Sequence, residues 1–171
     1  MTTDEKDLKN GSSLIVVDGQ QRILVVREKT RKQMWMLPGG EIERGESPRH
    51  AAQSETEEES GIVTDEANFR LIGILVQRPK GVVFLYETRR FTGEIIITPD
   101  NSDVSEACFM SFDEIVERAE EFRTAYLRMI LCYRRCLLGI DAIPFEGRLA
   151  DTVEFPRHLD GGTYRDVILR V

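Results

Sequence analysis

The sequence predicts an α/β fold, with a mixed β-sheet sandwiched between helices. Three observations lead there. Short runs rich in Val, Ile, Leu, Phe and Tyr recur from Ser12 to Phe112. One helix-patterned stretch, from Ser47 to Gly61, interrupts them near the middle. A second, from Phe122 to Leu138, follows the last run with Tyr126, Met129, Ile130, Tyr133 and Leu137 at three- and four-residue spacing. The length of 171 residues suits one domain with a single buried core. Hydrophobic residues at 41% and charged residues at 31% are ordinary for a soluble globular chain.

Residues 1–10 are polar and are expected to fray. Ser12 to Val17 and Arg22 to Val26 are β-branched runs around Asp18-Gly19, which reads as a β-hairpin. Gln33 to Leu37 is a short strand leading into Pro38-Gly39-Gly40. Ser47 stands where an N-cap belongs, Pro48 at the first helical position, and Gly61 where a left-handed residue ends a helix. Asn68 to Gln77 and Gly81 to Phe91 are strands joined by an Arg78-Pro79-Lys80-Gly81 turn, and Glu94 to Thr98 is a further short strand. Asp100 to Ser105 is a loop, Glu106 to Phe112 the last core strand, and Ser111 or Asp113 caps a helix through Ile115. The domain is expected over residues 11–140, with 141–171 as a C-terminal extension. Thr163 to Val171 has strand character; it pads the core, shields a sheet edge or pairs with a second subunit in a homodimer.

The chemistry concentrates between Gly40 and Ile62. Glu55, Glu58 and Glu59 stand at i, i+3 and i+4, on one side of the predicted helix. Ala51 and Ala52 share that side, while His50, Gln53, Glu57 and Ser60 take the other. A solvated acidic face would lie opposite the small residues rather than among them. Carboxylates ~6 Å apart repel by roughly 3 kcal/mol per pair at an effective dielectric of ~20. A divalent cation removes that penalty, and an all-oxygen donor set selects Mg²⁺ or Mn²⁺ over zinc.

This stretch resembles the signature of the Nudix hydrolase family. Gly40, Glu46, Glu55, Glu58, Glu59, Gly61 and Ile62 stand in its register, and the run Trp35 to Gly39 is similar to the segment that leads into it. Two positions depart: Ser54 replaces the family's Arg, and Thr56 replaces an apolar residue. The resemblance implies an α/β/α sandwich and Mg²⁺-dependent hydrolysis of a pyrophosphate bond in a nucleoside diphosphate derivative, with Mn²⁺ as a substitute. It implies Glu55, Glu58, Glu59 and the carbonyl of Gly40 as metal ligands, with Glu46 reaching toward them. The proton acceptor is a signature glutamate, Glu58, Glu59 or Glu55, or a loop acid, Asp103 or Glu106; metal-bound Glu58 or Glu59 is preferred, then Glu106. Arg27, Gly39, Arg78 and Lys80 are candidates for holding the substrate. Trp35, Phe84 and Tyr86 are candidates for base stacking, with core packing the default for the last two. Pro79 faintly resembles ADP-ribose hydrolases, in a shifted register.

Ser54 has no charge and a short reach, so it predicts a looser glutamate cluster, slower turnover or a replacement cation. It also supports the alternative, a catalytically weak nucleotide-binding or regulatory module. The net charge of −7 argues against binding nucleic acid or an anionic membrane. No apolar run is long enough to cross a membrane, and MTTDEKDLKN does not read as a signal peptide. Cys108, Cys132 and Cys136 lie in apolar surroundings without zinc-site spacing, which reads as buried thiols in a cytoplasmic protein.

Overall fold

The computed structural model describes residues 9–29, 32–77, 81–98, 103–137 and 166–169. In chain order the strands are β1 (Gly11–Val16), β2 (Ile23–Glu28), β3 (Trp35–Met36), β4 (Gly39–Glu41), β5 (Val63–Thr64), β6 (Arg70–Gln77), β7 (Gly81–Thr88), β8 (Phe91–Thr92), β9 (Val104–Met110) and β10 (Asp166–Leu169). The helices are α1 (Pro48–Ser60), α2 (Phe112–Glu117) and α3 (Thr124–Leu137).

Alternation along β1 sets the layers. Leu14 and Val16 join Ala52 of α1, Ile62, Phe69 and Tyr86 in one apolar cluster. Ile15 and Val17 join Leu127, Ile130 and Tyr133 of α3 in the other. One helix therefore covers each face, giving the expected α/β/α sandwich. The main sheet has the order β10-β6-β7-β1-β4 and is mixed: β1 runs parallel to β7, and its other pairings are antiparallel. A second, antiparallel sheet has the order β3-β2-β9. β5 and β8 form a small ribbon.

The sequence places β1 and β2 in one hairpin, and here the structure differs. Asp18 closes the turn, accepting from the backbone of Gln20 and Arg22 and pairing with Arg22 Nε at 2.7 Å. The strands then part into different sheets, linked by a single bridge from Val17 to Ile23. Each finds its partners elsewhere, β1 with β4 and β7, and β2 with β3 and β9. The strand expected at Glu94 to Thr98 is also absent: that segment is irregular, tied to the end of α1 by Ile96 N–H to Ser60 O at 2.8 Å. Phe112 opens α2 rather than closing β9, because Ser111 and Glu114 form a reciprocal capping box there.

β10 lies at the edge of the main sheet, antiparallel to β6, so the end of the chain shields that edge. The tight turn expected at 78–80, the fraying expected before Lys9 and the stretch 138–165 fall outside the described residues. Cys132 is buried and Cys108 half-buried. Among the described residues no helix is long and apolar enough to cross a membrane.

Candidate active site

The site is built where α1 crosses the start of β1 and the glycine loop. Ser47 caps α1 with its side chain accepting from His50 N, Pro48 is the first helical residue, and Gly61 ends the helix at φ +75°. Ser12 Oγ donates to the carbonyl of Pro48 at 2.6 Å, which pins the helix start to β1. The helix then presents its acids along one border of the buried face. Glu59 is buried, Glu55 half-buried and Glu58 exposed.

The two glycines make room for two of these acids. Gly39 N–H donates to Glu59 Oε2 at 2.9 Å. Gly39 holds φ +150°, and a Cβ there would strike the backbone oxygen of Ser12. A Cβ on Gly40 would fall inside the Glu55 carboxylate, so Glu55 lies flat against a position that only glycine leaves open.

Electrostatics separate this cluster from a solvated face. Burial pushes the Glu59 carboxyl up to about 8, against the pull of the Gly39 N–H, and Glu55, Asp103 and Glu58 push further the same way. Burial likewise raises Glu55, reinforced by Glu58, Glu46, Asp103 and Glu43. The charges acting most strongly on both groups are other carboxylates. A buried glutamate with one amide donor and acidic neighbours is the donor set a hard divalent cation takes. The residues fit such an ion by chemistry, although among the described residues no three of His, Cys, Asp or Glu already stand at metal-ligand spacing. Side-chain rotation, above all of exposed Glu58, would have to close the shell.

Ser54 does not organise the acids. Its hydroxyl donates back along its own helix, to the carbonyls of His50 at 3.1 Å and Ala51 at 3.3 Å. Thr56 is fully buried and back-bonded to Ala52 at 2.7 Å, which explains its tolerance at an apolar position. Ser60, assigned by spacing to the outer side, is instead fully buried and bonded to Thr56 O at 2.6 Å. It sits in the last turn, where the small ribbon and the 94–98 segment close over the helix end.

Glu46 lies in the loop before α1, accepting from Glu43 N at 2.9 Å, and its charge reaches Glu55. Of the two later acids, Asp103 joins the cluster. Glu106 sits on β9 opposite Arg27, and the two pair at 3.0 Å. Arg27 also donates to the carbonyl of Gln33 at 2.8 Å, so it is held in the second sheet. Arg78 and Lys80 lie outside the described residues. Trp35 is 2% exposed, with the guanidiniums of Arg27 and Arg118 over its ring, and this burial leaves it no surface for a base. Glu43, whose charge reaches Glu55, was missed by sequence reasoning. The only signal for it was its place in the short loop between the glycines and the N-cap.

The family model of the NUDIX domain matches residues 8–130. The chain belongs to the Nudix family. A Bacillus subtilis (strain 168) protein that carries the provisional name of 8-oxo-dGTP diphosphatase is 40% identical over 85 residues, 50% of this chain and 52% of that protein. The chain thus spans about half the length of that curated relative. Among solved structures, the MutT protein of Methanosarcina mazei Go1 aligns over 79% of this chain and 99% of its own, with TM-score 0.61 and 16% identity. The bifunctional NMN adenylyltransferase/ADP ribose pyrophosphatase of Francisella tularensis, complexed with AMP and a Mn ion, aligns over 78% of this chain and 43% of its own, with TM-score 0.64 and 17% identity. At these identities the structural likenesses establish the Nudix fold.

Proposed function

We propose that this Nudix chain hydrolyses a phosphoanhydride bond in a nucleoside diphosphate derivative, using Mg²⁺ or Mn²⁺. The observation that carries the reading is the pair of acids, Glu55 and Glu59, laid against Gly39 and Gly40 on the buried side of α1. In this reading Glu55, Glu58, Glu59 and the Gly40 carbonyl hold the cation. When bound, the metal neutralises the substrate's phosphates and acidifies a water. The Gly39 amide keeps Glu59 oriented, and the missing Cβ of Gly40 keeps Glu55 close to the loop. Glu58 is the preferred proton acceptor, because its exposed side chain makes no hydrogen bond or ion pair among the described residues. Asp103 replaces Glu106 as the second choice, since Glu106 is spent on Arg27.

The substrate class proposed first is a nucleoside triphosphate with an oxidised purine, supported by the name of the Bacillus subtilis relative. A panel of such triphosphates, dinucleotides and nucleotide sugars with Mg²⁺ tests it. Turnover that disappears in Glu58→Gln and Glu59→Gln supports the enzyme. Ser54 supports a second reading, a weakly catalytic nucleotide-binding module, because nothing cationic stands in for the family's arginine among the strongest charges on the acids. Tight nucleotide binding without turnover would select that module.

A further inference from the structure

Tyr86 and Glu87 are neighbours on β7, so their side chains leave opposite faces of the main sheet. Tyr86 packs with Ala52 of the acidic helix, whereas Glu87 Oε1 accepts from Tyr133 Oη of α3 at 2.6 Å. Around Glu87 opens a cleft of about 520 Å³, lined by Asn68, Thr88, Glu87 and three arginines, Arg70, Arg89 and Arg90. It lies near the Val16 end of β1, while the acid cluster lies near Ser12 and Ser13. Those ends are ~13 Å apart along the strand.

The cleft is basic in a chain of net charge −7. Three guanidiniums face one carboxylate. Arg70 gives Nε at 3.1 Å and Nη2 at 2.6 Å to Glu87 Oε2, and Arg89 gives Nε at 3.1 Å to Oε1. Glu87 is buried, and the hydrogen bonds from Tyr133 and Arg70 hold its carboxyl below the usual range despite the burial, so it stays charged. It fixes two arginine forks in place while their side chains remain 55% and 45% exposed. Arg90 is uncommitted by comparison. Its guanidinium makes one long hydrogen bond, Nη1 to Asn68 Oδ1 at 3.3 Å, and no ion pair among the described residues. Arg89 Nη1 also donates to Gln21 Oε1 at 2.9 Å, and the guanidinium N–H groups that remain suit phosphate oxygens. The cleft is an open, polar-lined groove larger than a bare anion, with 45%-exposed Leu137 as its apolar wall.

We infer that this cleft is a second ligand site, for a phosphate-bearing small molecule of nucleotide size, separate from the acid cluster. The inference does not depend on the proposed hydrolysis. It is tested with AMP, which has no phosphoanhydride to cleave, titrated into the full chain in EDTA and followed by calorimetry. Saturable AMP binding is expected, with inorganic phosphate competing and adenosine failing to compete. Arg90→Ala should weaken AMP binding about tenfold, the loss of one charge-assisted contact, and Arg90→Lys should recover part of it. Glu59→Gln should leave it unchanged. If Arg90→Ala does not fold, Leu137→Asp, which sets a carboxylate on the wall, should weaken binding in its place. Absence of saturable binding, competition by adenosine equal to that of phosphate, or binding that these cleft variants leave intact would overturn the inference.

Discussion

Gly39 and Gly40 are adjacent and do different work. Gly39 is demanded by the backbone, through its φ of +150° and the approach of the Ser12 carbonyl. Gly39→Ala should therefore destabilise the fold by about 1–3 kcal/mol, read as a lower denaturation midpoint. Gly40 is demanded by a side chain, the Glu55 carboxylate. That group can swing away, so Gly40→Ala should melt near the parent temperature yet lose activity by about a hundredfold, because the proposed metal ligand Glu55 is displaced. Equal damage to stability from both variants would contradict this division. Ser54 belongs to the same scale. Its hydroxyl is occupied with His50 and Ala51, so Ser54→Arg removes no contact to the acids and supplies the missing cation. Turnover should rise; an unchanged or lower rate counts against the role assigned to this position.

At the scale of elements, what the sequence makes legible is what is local. The cap at Ser47, the Pro48 start and the Gly61 stop are decided by residues within one turn of each other and stand as read, and of the two caps offered for α2, Ser111 and Asp113, the structure takes Ser111. Ser47→Ala should cost about 1 kcal/mol in a denaturant melt, with the active-site geometry otherwise retained. Sheet membership was not legible, because pairing is non-local. β1 and β2 look like a hairpin from their turn, yet each pairs along its length in a different sheet. The site follows the same rule. The placement of Glu55, Glu58 and Glu59 on one helix was legible because their spacing alone sets it. The parting of Asp103 from Glu106 was not, since it depends on Arg27 standing opposite Glu106 across two strands.

At the scale of the whole molecule, Glu87 ties the main sheet to α3 through Tyr133 while anchoring Arg70 and Arg89. Its carboxyl lies below the ordinary 4.5 in the folded chain. A depressed folded value means the stabilisation is present above the unfolded pKa and is lost as pH falls through the folded one. The parent should lose stability as pH drops below about 4.5. Glu87→Gln should be less stable at pH 7 and show a shallower acid limb in thermal melts followed by circular dichroism. Parallel acid limbs in parent and variant would remove Glu87 from the account. The extension past α3 returns to the main sheet as β10, an arrangement that the polar, Pro- and Gly-broken sequence after Asp141 did not specify.

The claim that the buried-side acids of α1 exist to hold a divalent ion is tested most directly by anomalous diffraction from crystals soaked in Mn²⁺. An anomalous peak is expected ~2.0–2.2 Å, an octahedral hard-cation distance, from carboxylate oxygens of Glu55 and Glu59, beside the Gly40 carbonyl. Crystals in which those side chains turn to bulk solvent with no peak near them would contradict it.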